Sequence, residues 1–420
     1  MASSEKTILV YENWSGPEPI RMGTLYVTDA RGQEVCSYAY DERWLEEHGG
    51  GFPMDPDLSF YRGRQYTPLD KRMFGLFADS CPDRWGRLLM NRREAIAARR
   101  EERRPRRLAE SDYLLGVYDA ARMGALRFRM KEDSPFLSND EAMATPPWIR
   151  LRELEHASRE FENDESGLEE KWLRQLLAPG SSLGGARPKA TVQDTDGTLW
   201  IAKFPSRHDE YNSGAWEKVA HDLARMCGLN VPESRLETFS EGGSTFLVQR
   251  FDRKGAARVH FSSAMTLLGQ TDGSAFENGT GYLDLAAFLR SDGAEPKKDL
   301  EELWKRVVFN ISISNTDDHL RNHGFLLSKT GWRLSPAYDM NPVPYGDTLT
   351  LNINGYDNRM DYELAAETAE YYGIRSRDAS RMMETITTTV ARNWRPLAEK
   401  YGLGRKAQEY MWPAFALAER

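Results

Sequence analysis

The chain has 420 residues, of which 40% are hydrophobic and 29% charged, a balance typical of a globular protein with room for two or three domains. No apolar run approaches the about eighteen residues of a membrane span, and a net charge of −8 gives no general attraction to nucleic acid. The start MASSEKTILV has no basic segment followed by an apolar one, so we expect no signal peptide. Three widely spaced cysteines (Cys36, Cys81, Cys227) indicate a cytoplasmic protein without a disulfide framework or a cysteine metal site.

The first third of the chain combines short strands with a long helical segment. Strands are predicted at three stretches rich in β-branched and aromatic residues, at residues 7–10, 24–28 and 34–40. Apolar residues at helical spacing predict a helix over residues 69–104, which Pro105 ends. Pro, Asp and Ser are frequent in residues 131–147, which indicates a linker, and we place a domain boundary there.

The remaining chain is predicted to begin with mixed elements and to end mostly helical. Its elements are helices at residues 149–178 and 213–228, strands at 189–193, 199–204 and 244–252, and a hairpin at 324–336. The four residues DTDG between the first two of these strands are a strong signal for a hairpin turn. Gly228 is expected to end the second helix, since glycine readily adopts the left-handed conformation that ends helices.

A glycine-containing segment precedes the first of these strands. In Ser-Leu-Gly-Gly-Ala-Arg-Pro-Lys (182–189), Gly184 and Gly185 allow backbone N–H groups to converge on a phosphate. The segment is neither a Walker A motif nor the glycine-rich loop of protein kinases, so on its own it is a weak signal. A plain turn leading into a strand remains the alternative.

A lysine and a glutamate follow this segment. Lys203 lies in the apolar strand LWIAKF, where a buried ammonium group is costly unless it is paired. A phosphate and a carboxylate are its natural partners. Glu217, on the next predicted helix, has the position from which a kinase glutamate pairs with the strand lysine. The alternative for Glu217 is a solvated helix residue.

The most specific signal is NTDDHLRN (315–322) followed by SPAYD (335–339) after a short hairpin. Phosphoryl transfer needs a carboxylate that orients the attacking hydroxyl and oxygen ligands for Mg²⁺. Asp317 can supply the first, and Asn322 and Asp339 can supply the second, in the order found in the catalytic loop of kinases. Asp318 competes with Asp317 for its role, and an acidic turn without chemistry is the structural alternative.

Two histidines in the same segment allow a zinc interpretation. His319 and His323 are four residues apart, but no HExxH pattern is present and the neighbouring oxygen donors suit magnesium better. We expect His319 to hold the loop by bonding to the backbone.

Together these segments resemble the HipA family of bacterial toxin kinases over nearly the whole chain, including FADSCPDRWGR (77–87) near the N-terminus. The resemblance implies that Asp317 is the catalytic aspartate, that Asn322 and Asp339 bind the metal, that Glu217 supports Lys203 and that Ser182 is autophosphorylated, which inactivates the enzyme. The backbone of the strand VQRFDR (248–253) would hold the adenine. The residues implied in ATP binding are Gly184, Gly185, Ala186, Arg187, Pro188, Lys189, Lys203, Gln249, Arg250, Phe251, His319, Leu320, Arg321, Asn322, Tyr338 and Asp339.

The resemblance also implies an architecture, a reaction and partners. The expected fold is α/β (α+β), a bilobal protein-kinase-like fold with an N-terminal β/helical subdomain (1–145), an ATP-binding region (146–255) and a helical lobe with the catalytic loop (256–420). The expected cofactors are ATP and Mg²⁺. Family members assemble with a small HipB-like helix-turn-helix antitoxin on operator DNA, and their substrates are aminoacyl-tRNA synthetases, whose inhibition stops growth. The chain departs from the family pattern at Arg187-Pro188, Gln249 and Asp318.

Three questions stay open at the level of sequence. The arginine-rich residues 92–107 are either a solvated, salt-bridged helix face or a contact for nucleic acid or an acidic partner. The chain is either an active kinase or a catalytically silent, nucleotide-bound partner of a DNA-binding antitoxin. A metal-dependent hydrolase using the acidic cluster is a third possibility, which leaves the glycine segment and Lys203 unexplained.

Overall fold

The computed structural model describes residues 5–30, 32–49, 51–141, 144–163, 176, 187–271, 273 and 279–420. The chain forms two compact units. The first unit comprises residues 1–206 and 249–262, and the second comprises residues 207–248 and 263–420. These units interleave along the chain, and the predicted three-part division stays a prediction. No helix in the described ranges has the length and apolar character needed to cross a membrane.

The first unit contains a five-stranded antiparallel sheet in the order β4-β3-β2-β1-β5. Its strands are β1 (Glu5–Glu12), β2 (Ile20–Ala30), β3 (Gln33–Tyr40), β4 (Gln65–Tyr66) and β5 (Leu126–Arg129). The three strands predicted near the N-terminus are confirmed, because the β-branched and aromatic residues of β1, β2 and β3 fill the buried positions of the sheet.

The helices of the first unit are α1 (Glu42–His48), α2 (Gly75–Ala78), α3 (Arg84–Arg100), α4 (Glu110–Gly116) and α5 (Leu151–Asn163). The single helix predicted over residues 69–104 is wrong at its start. Asp83 has an extended backbone and its carboxylate accepts a hydrogen bond from the Gly86 N–H at 2.8 Å, so it begins a new helix after Pro82. Trp85 and Leu89 of α3 pack with Tyr113 and Phe161 in a core shared by α3, α4 and α5.

The rest of the first unit consists of short strands, β6 (Lys189–Gln193), β7 (Leu199–Lys203), β10 (Arg253–Lys254) and β11 (Ala257–Arg258). The hairpin predicted from DTDG is confirmed: β6 and β7 pair antiparallel, and Gly197 has a φ of 87° in the turn between them.

Buried arginines connect the segments of this unit. The Arg250 guanidinium bonds to both carboxylate oxygens of Asp252, at 2.9 and 2.7 Å, and donates to the Ala121 carbonyl at 2.6 Å. The fully buried Arg122 donates to four backbone carbonyls, those of Ser80, Leu114, Val117 and Leu137.

The second unit is mostly helical. Its helices are α6 (Ser213–Met226), α7 (Ala264–Leu267), α8 (Tyr282–Asp292), α9 (Pro296–Ser312), α10 (Tyr362–Thr368), α11 (Ser376–Lys400) and α12 (Arg405–Phe415). Two antiparallel hairpins accompany them, β8 (Ser234–Ser240) with β9 (Gly243–Gln249) and β13 (Gly324–Ser328) with β14 (Gly331–Leu334), while β12 (Phe261–Ser263) lies where the chain enters the unit for the second time. The predicted hairpin at 324–336 is confirmed. The helix predicted at 213–228 is also confirmed, and Gly228, with a φ of 75°, follows its end.

Helix α9 is the centre of the second unit. Pro296 at its first turn and Asp299 near its N-terminus favour helix formation there. Its buried apolar residues recur every three or four positions, and the Trp304 indole donates to the Ala365 carbonyl at 2.9 Å. Because α9 is packed along most of its length, the position of its C-terminal end, where the next loop begins, is fixed.

All three cysteines are free thiols inside the protein. Cys36 and Cys81 belong to the first unit and Cys227 to the second. Burial raises the pKa of each of these thiols to about 12.

Candidate active site

The segment that carries the predicted catalytic residues is a tight loop between α9 and β13, called here the Asp317 loop (residues 314–323). Ser314 has a positive φ of 48°, which turns the chain sharply after the helix. The Asn315 N–H donates to the Asn310 carbonyl at 2.9 Å, and residues Leu320–Asn322 form one 3-10 turn before β13 begins. The loop is therefore shaped by local backbone bonds at both of its ends.

Asp317 and Asn322 are joined within this loop. Asp317 is exposed, whereas Asn322 is buried. The Asn322 side-chain amide donates to the Asp317 carbonyl oxygen at 2.9 Å, so its orientation is fixed. Its oxygen Oδ1 is buried and has no hydrogen-bond partner among the described residues. An amide oxygen that is held in place without a donor is suited to a cation.

Asp339 follows β14 and is held against the same loop by its neighbours. The Tyr338 hydroxyl donates to the Arg321 carbonyl at 2.7 Å, and the Asn341 N–H lies 3.4 Å from the Asn315 side-chain oxygen. Asp339 itself has a φ of 59°, a left-handed conformation that few side chains adopt. The structure thus brings the predicted second metal ligand to the loop that carries the first.

Asp318 points into the protein. Its Oδ2 accepts hydrogen bonds from the Tyr282 hydroxyl at 2.6 Å, the Asn310 amide at 2.7 Å and the His323 Nε2 at 2.8 Å. Burial alone would raise the pKa of the Asp318 carboxyl, but the charge and hydrogen bond of His323 and the bond from Tyr282 hold that pKa below its ordinary value. The geometry therefore favours Asp317 over Asp318 for contact with a substrate hydroxyl.

The two histidines have different places in the loop. His319 is half-buried, and its backbone accepts from the Asn322 N–H at 2.8 Å and donates to the Asp317 carbonyl at 3.0 Å. The side chain that holds the loop through Asp318 is that of His323, a role the sequence did not assign to it. Leu320 is buried and Arg321 is half-buried.

A further segment packs against the loop that the sequence did not indicate. The Thr350 hydroxyl donates to the Thr316 carbonyl at 2.7 Å. Gly346 lies so close to Thr316 that an added Cβ would collide with the threonine side chain. Residues 346–350 therefore cover the residue directly before Asp317.

The lysine and the glutamate that the sequence predicts as a pair lie in different units. Glu217 is buried on α6 in the second unit. Lys203 is buried at the end of β7 in the first unit. Its predicted pairing with Glu217 joins residues of different units and stays a prediction. Ser182, Gly184, Gly185 and Ala186 lie outside the described residues.

The described part of the predicted phosphate segment bonds within the first unit. The Arg187 Nε donates to the Phe204 carbonyl at 3.1 Å, and the Pro188 carbonyl accepts from the Phe204 N–H at 2.9 Å. Lys189 is 3% exposed and its ammonium lies 3.0 Å from the Asp83 carboxylate. This ion pair gives Lys189 a structural partner, and its contact with a phosphate stays a prediction.

The predicted adenine-binding strand has one residue with an unexpected role. Gln249 and Phe251 are half-buried, whereas Arg250 is buried and its guanidinium bonds to Asp252 and Ala121. The Arg250 N–H donates to the Leu199 carbonyl at 2.9 Å. The side chain of Arg250 therefore stabilises the first unit, and the contact of this strand's backbone with adenine stays a prediction.

The donors present fit a magnesium ion better than zinc. In the parts of the chain that the structure describes, no group of three or more His, Cys, Asp or Glu side chains is arranged to hold a metal. Magnesium bound together with nucleotide phosphates needs only one or two protein oxygens, because phosphates and water complete its shell. The unpartnered Asn322 Oδ1 and the Asp339 carboxylate meet that requirement, while the His323 Nε2 is occupied by Asp318.

Comparison with known proteins identifies relatives of this chain. A family model described as the HipA-like C-terminal domain matches residues 181–394. The presumed kinase Y4dM of Sinorhizobium fredii is 28% identical over 211 residues, which are 46% of this chain and 46% of that protein. The serine/threonine-protein kinase toxin HipA of Shewanella oneidensis is 26% identical over 227 residues, 45% of this chain and 51% of that protein. The chain thus spans about half the length of the curated relatives it matches.

One solved structure covers nearly the whole chain. It is that of HipA, HipB and operator DNA from Shewanella oneidensis, and the match has a TM-score of 0.68 at 17% identity over 98% of this chain and 97% of the matched chain. The fold is therefore of the α/β, protein-kinase-like type, as predicted. Since the family model also matches about half of the chain, the protein belongs to the HipA-like kinase family. The resemblance drawn from the sequence is confirmed.

Proposed function

We propose that this chain is an ATP- and Mg²⁺-dependent serine/threonine protein kinase and the toxin component of a HipA/HipB-like toxin-antitoxin system. One observation carries this proposal. The Asp317 loop combines an exposed carboxylate with a buried amide oxygen that has no partner among the described residues, and Asp339 is held against the same loop. Membership of the HipA-like kinase family supports the same conclusion.

In this proposal, one residue orients the substrate hydroxyl and two others bind the metal ion. Asp317 accepts a hydrogen bond from the serine or threonine hydroxyl of the substrate and orients it for attack. Asn322 and Asp339 hold the magnesium ion that accompanies ATP. When bound, Mg·ATP supplies the transferable phosphoryl group and neutralises its charge. Catalysis by the protein is then mainly positioning, which a loop fixed at both ends is suited to provide.

The first unit contributes nucleotide contacts in this proposal. Lys203 binds the phosphates, with Glu217 as its supporting partner, and backbone groups of residues 249–251 hold the adenine. The family resemblance supports these roles. Lys203→Ala is expected to weaken nucleotide binding.

Transfer of labelled phosphate from ATP tests the proposal directly. Asp317→Ala is expected to bind Mg·ATP as the wild type does but to transfer phosphate at least about a thousandfold more slowly, because the hydroxyl is no longer oriented. Glu367→Ala is the control, since it too removes an exposed carboxylate of the second unit, but from helix α10 and not from the Asp317 loop.

The outcomes separate the competing functions. Undiminished transfer by Asp317→Ala would rule out its assigned role. Binding of Mg·ATP without transfer by the wild type would favour a silent, nucleotide-bound partner of an antitoxin. Release of inorganic phosphate without labelled protein would favour a hydrolase.

Autophosphorylation follows from the family resemblance and has its own test. We expect active protein to label itself at Ser182. Mass spectrometry of protein incubated with Mg·ATP should find this phosphoserine in the wild type and not in Asp317→Ala. A Ser182→Ala variant should remain active for longer, because phosphorylation of this serine inactivates the enzyme in the family.

The proposed partners are a HipB-like helix-turn-helix protein and, through it, operator DNA. Their support is the fold match to the HipA, HipB and operator DNA complex. The proposed substrate is an aminoacyl-tRNA synthetase or another translation protein. Comparing phosphoproteins in cells that express wild type or Asp317→Ala would identify the substrate.

A further inference from the structure

The Asp317 loop is fixed from inside by polar side chains that the proposed reaction does not use. Asp318 is 4% exposed and accepts three hydrogen bonds on one carboxylate oxygen. Tyr282 donates from α8, Asn310 donates from α9, and His323 donates from the far end of the loop itself. Two helices and the far end of the loop therefore meet at a single buried anion.

Each of the two proposed functional residues of the loop is followed directly by a residue of the buried cluster. Asp317 and Asn322 are the proposed functional residues, and the next residue of each, Asp318 and His323, joins the buried cluster. The His323 Nε2 lies 2.8 Å from Asp318, while the Asn322 amide donates to the Asp317 carbonyl at 2.9 Å. The spacing of Asp317 and Asn322 is thus fixed by two hydrogen bonds, one that joins Asn322 to Asp317 and one that joins the residues after them, His323 and Asp318.

Turning Asp318 out of the protein is unfavourable for two reasons. It would break three hydrogen bonds made by a buried charge, and it would leave the Tyr282 hydroxyl and the Asn310 amide buried without their acceptor. The side chain next to Asp317 is consequently confined to one orientation, and the backbone that carries Asp317 is restrained with it.

We propose that Asp318 is a positioning residue of the phosphoryl transfer, which acts through Tyr282, Asn310 and His323 to hold Asp317 and Asn322 at their working separation. The proposal rests on the proposed kinase function and extends it to a charge that does not touch the substrate. Groups that orient catalytic residues in this way commonly affect rates by about 10- to 100-fold.

Steady-state transfer by Asp318→Asn tests this role. The variant keeps the shape of the side chain but removes its negative charge, so the three hydrogen bonds to its oxygen lose their charge assistance. We expect kcat to fall about 10- to 100-fold while KM for Mg·ATP changes less than about threefold. His323→Gln, which retains an N–H near the position of Nε2, should keep more of the wild-type kcat than His323→Ala.

A destabilised control separates positioning from loss of stability. Ile386→Ala removes a buried apolar side chain of α11 that has no part in the cluster, and it should lower the urea midpoint without lowering kcat. A kcat for Asp318→Asn equal to that of the wild type or of Ile386→Ala would overturn the proposal.

Amide hydrogen exchange gives a second measurement that needs no activity. Asp318→Asn should accelerate exchange of residues 315–323, whereas Ile386→Ala should leave these amides protected. If the wild type shows no Asp317-dependent transfer, the kinase proposal fails and exchange alone decides whether Asp318 fixes the loop. Unchanged protection of the loop in Asp318→Asn would overturn the anchoring role in either case.

Discussion

Asp339 is a proposed metal ligand and also has a left-handed backbone conformation. Its φ of 59° lies in the left-handed region, where aspartate and asparagine are tolerated better than other side chains apart from glycine. In the proposed function, a residue at this position must therefore adopt the left-handed backbone of the turn after β14 and also bind the metal. Asparagine tolerates the left-handed backbone but does not supply the negative charge that a metal ligand needs here.

We predict that Asp339→Asn keeps the stability of the wild type within about 0.5 kcal/mol but binds nucleotide with little dependence on Mg²⁺. Asp339→Ala should lose the same magnesium dependence and an additional amount of stability of about 1 kcal/mol, because alanine is strained at this φ. Nucleotide titrations with and without Mg²⁺, together with urea unfolding, measure both effects. Full magnesium dependence in Asp339→Asn would contradict the assignment of this ligand.

Asp252 is a second residue with an important negative charge, which contributes to the free energy of unfolding. It is fully buried between Arg250 and Arg253, which lie within hydrogen-bond distance of it. Burial alone would raise the pKa of its carboxyl, but these two guanidinium groups and the Gly124 N–H hold that pKa far below its ordinary value of 3.8. The stabilisation is thus complete above about pH 5 and is lost progressively as the pH falls further.

We predict that Asp252→Asn destabilises the protein by about 3–5 kcal/mol near neutral pH, because two buried guanidinium groups lose their counter-charge. The free energy of unfolding should also fall less steeply below pH 4 in the variant than in the wild type. Urea unfolding at a series of pH values measures both. An identical acid dependence in the two proteins would contradict the role of Asp252.

The sequence predicts the functional residues of the loop better than the residues that support them. Asp317, Asn322 and Asp339 have a characteristic order and spacing, so the chemistry could be inferred locally. Tyr282 and Asn310 are tens of residues away from Asp318 and have no pattern that points to it. For Arg250 the family resemblance implied a nucleotide contact through the backbone, and only the three-dimensional contacts show that its side chain bonds to Asp252.

At the scale of elements, hairpins and turns were predictable and interruptions of helices were not. DTDG indicated its turn because glycine and aspartate tolerate the backbone that a tight hairpin requires. The interruption before α3 escaped prediction, since the apolar residues on either side of Asp83 keep helical spacing across it. Capping by the Asp83 side chain outweighs that periodicity.

The segment 346–350 restricts the position of Thr316 in the Asp317 loop. Gly346 has no room for a side chain because Thr316 lies against it, and Thr350 bonds to the Thr316 carbonyl. We predict that Gly346→Ala displaces Thr316 and lowers kcat at least about tenfold, although it removes no polar group. Kinetic measurement of phosphate transfer provides the test.

Gly355→Ala is the matched control for this prediction. Nothing lies within 4 Å of the position where its Cβ would be, so the added methyl group meets open space. Its kcat should equal that of the wild type. Equal rates for both glycine variants would show that contact with Thr316 does not constrain the loop.

At the scale of the whole molecule, the two units cannot be separated by a single cut. The chain leaves the first unit after residue 206, returns at residue 249 and leaves again after residue 262. Neither unit is therefore a continuous piece of sequence. Measurements of ligand binding and stability are best made on the full chain.

We predict that Mg·ATP stabilises the full chain by about 2.7 kcal/mol at a concentration a hundred times its Kd, which corresponds to a rise in Tm of roughly 3 °C for a chain of this length. The rise should appear in the wild type and in Asp317→Ala and should disappear when EDTA removes the metal. Thermal unfolding followed by intrinsic fluorescence measures it. A rise that persists in EDTA would show that magnesium is not needed for binding.

The buried thiols make the native chain convenient for spectroscopy. Thiol-directed dyes react with exposed thiolates, and Cys36, Cys81 and Cys227 are all buried and hard to ionise. A single new cysteine in place of the exposed Tyr345 would then be the one site that a maleimide dye modifies quickly. Fluorescence from that dye could follow the segment beside Gly346 in real time, without first removing any native cysteine.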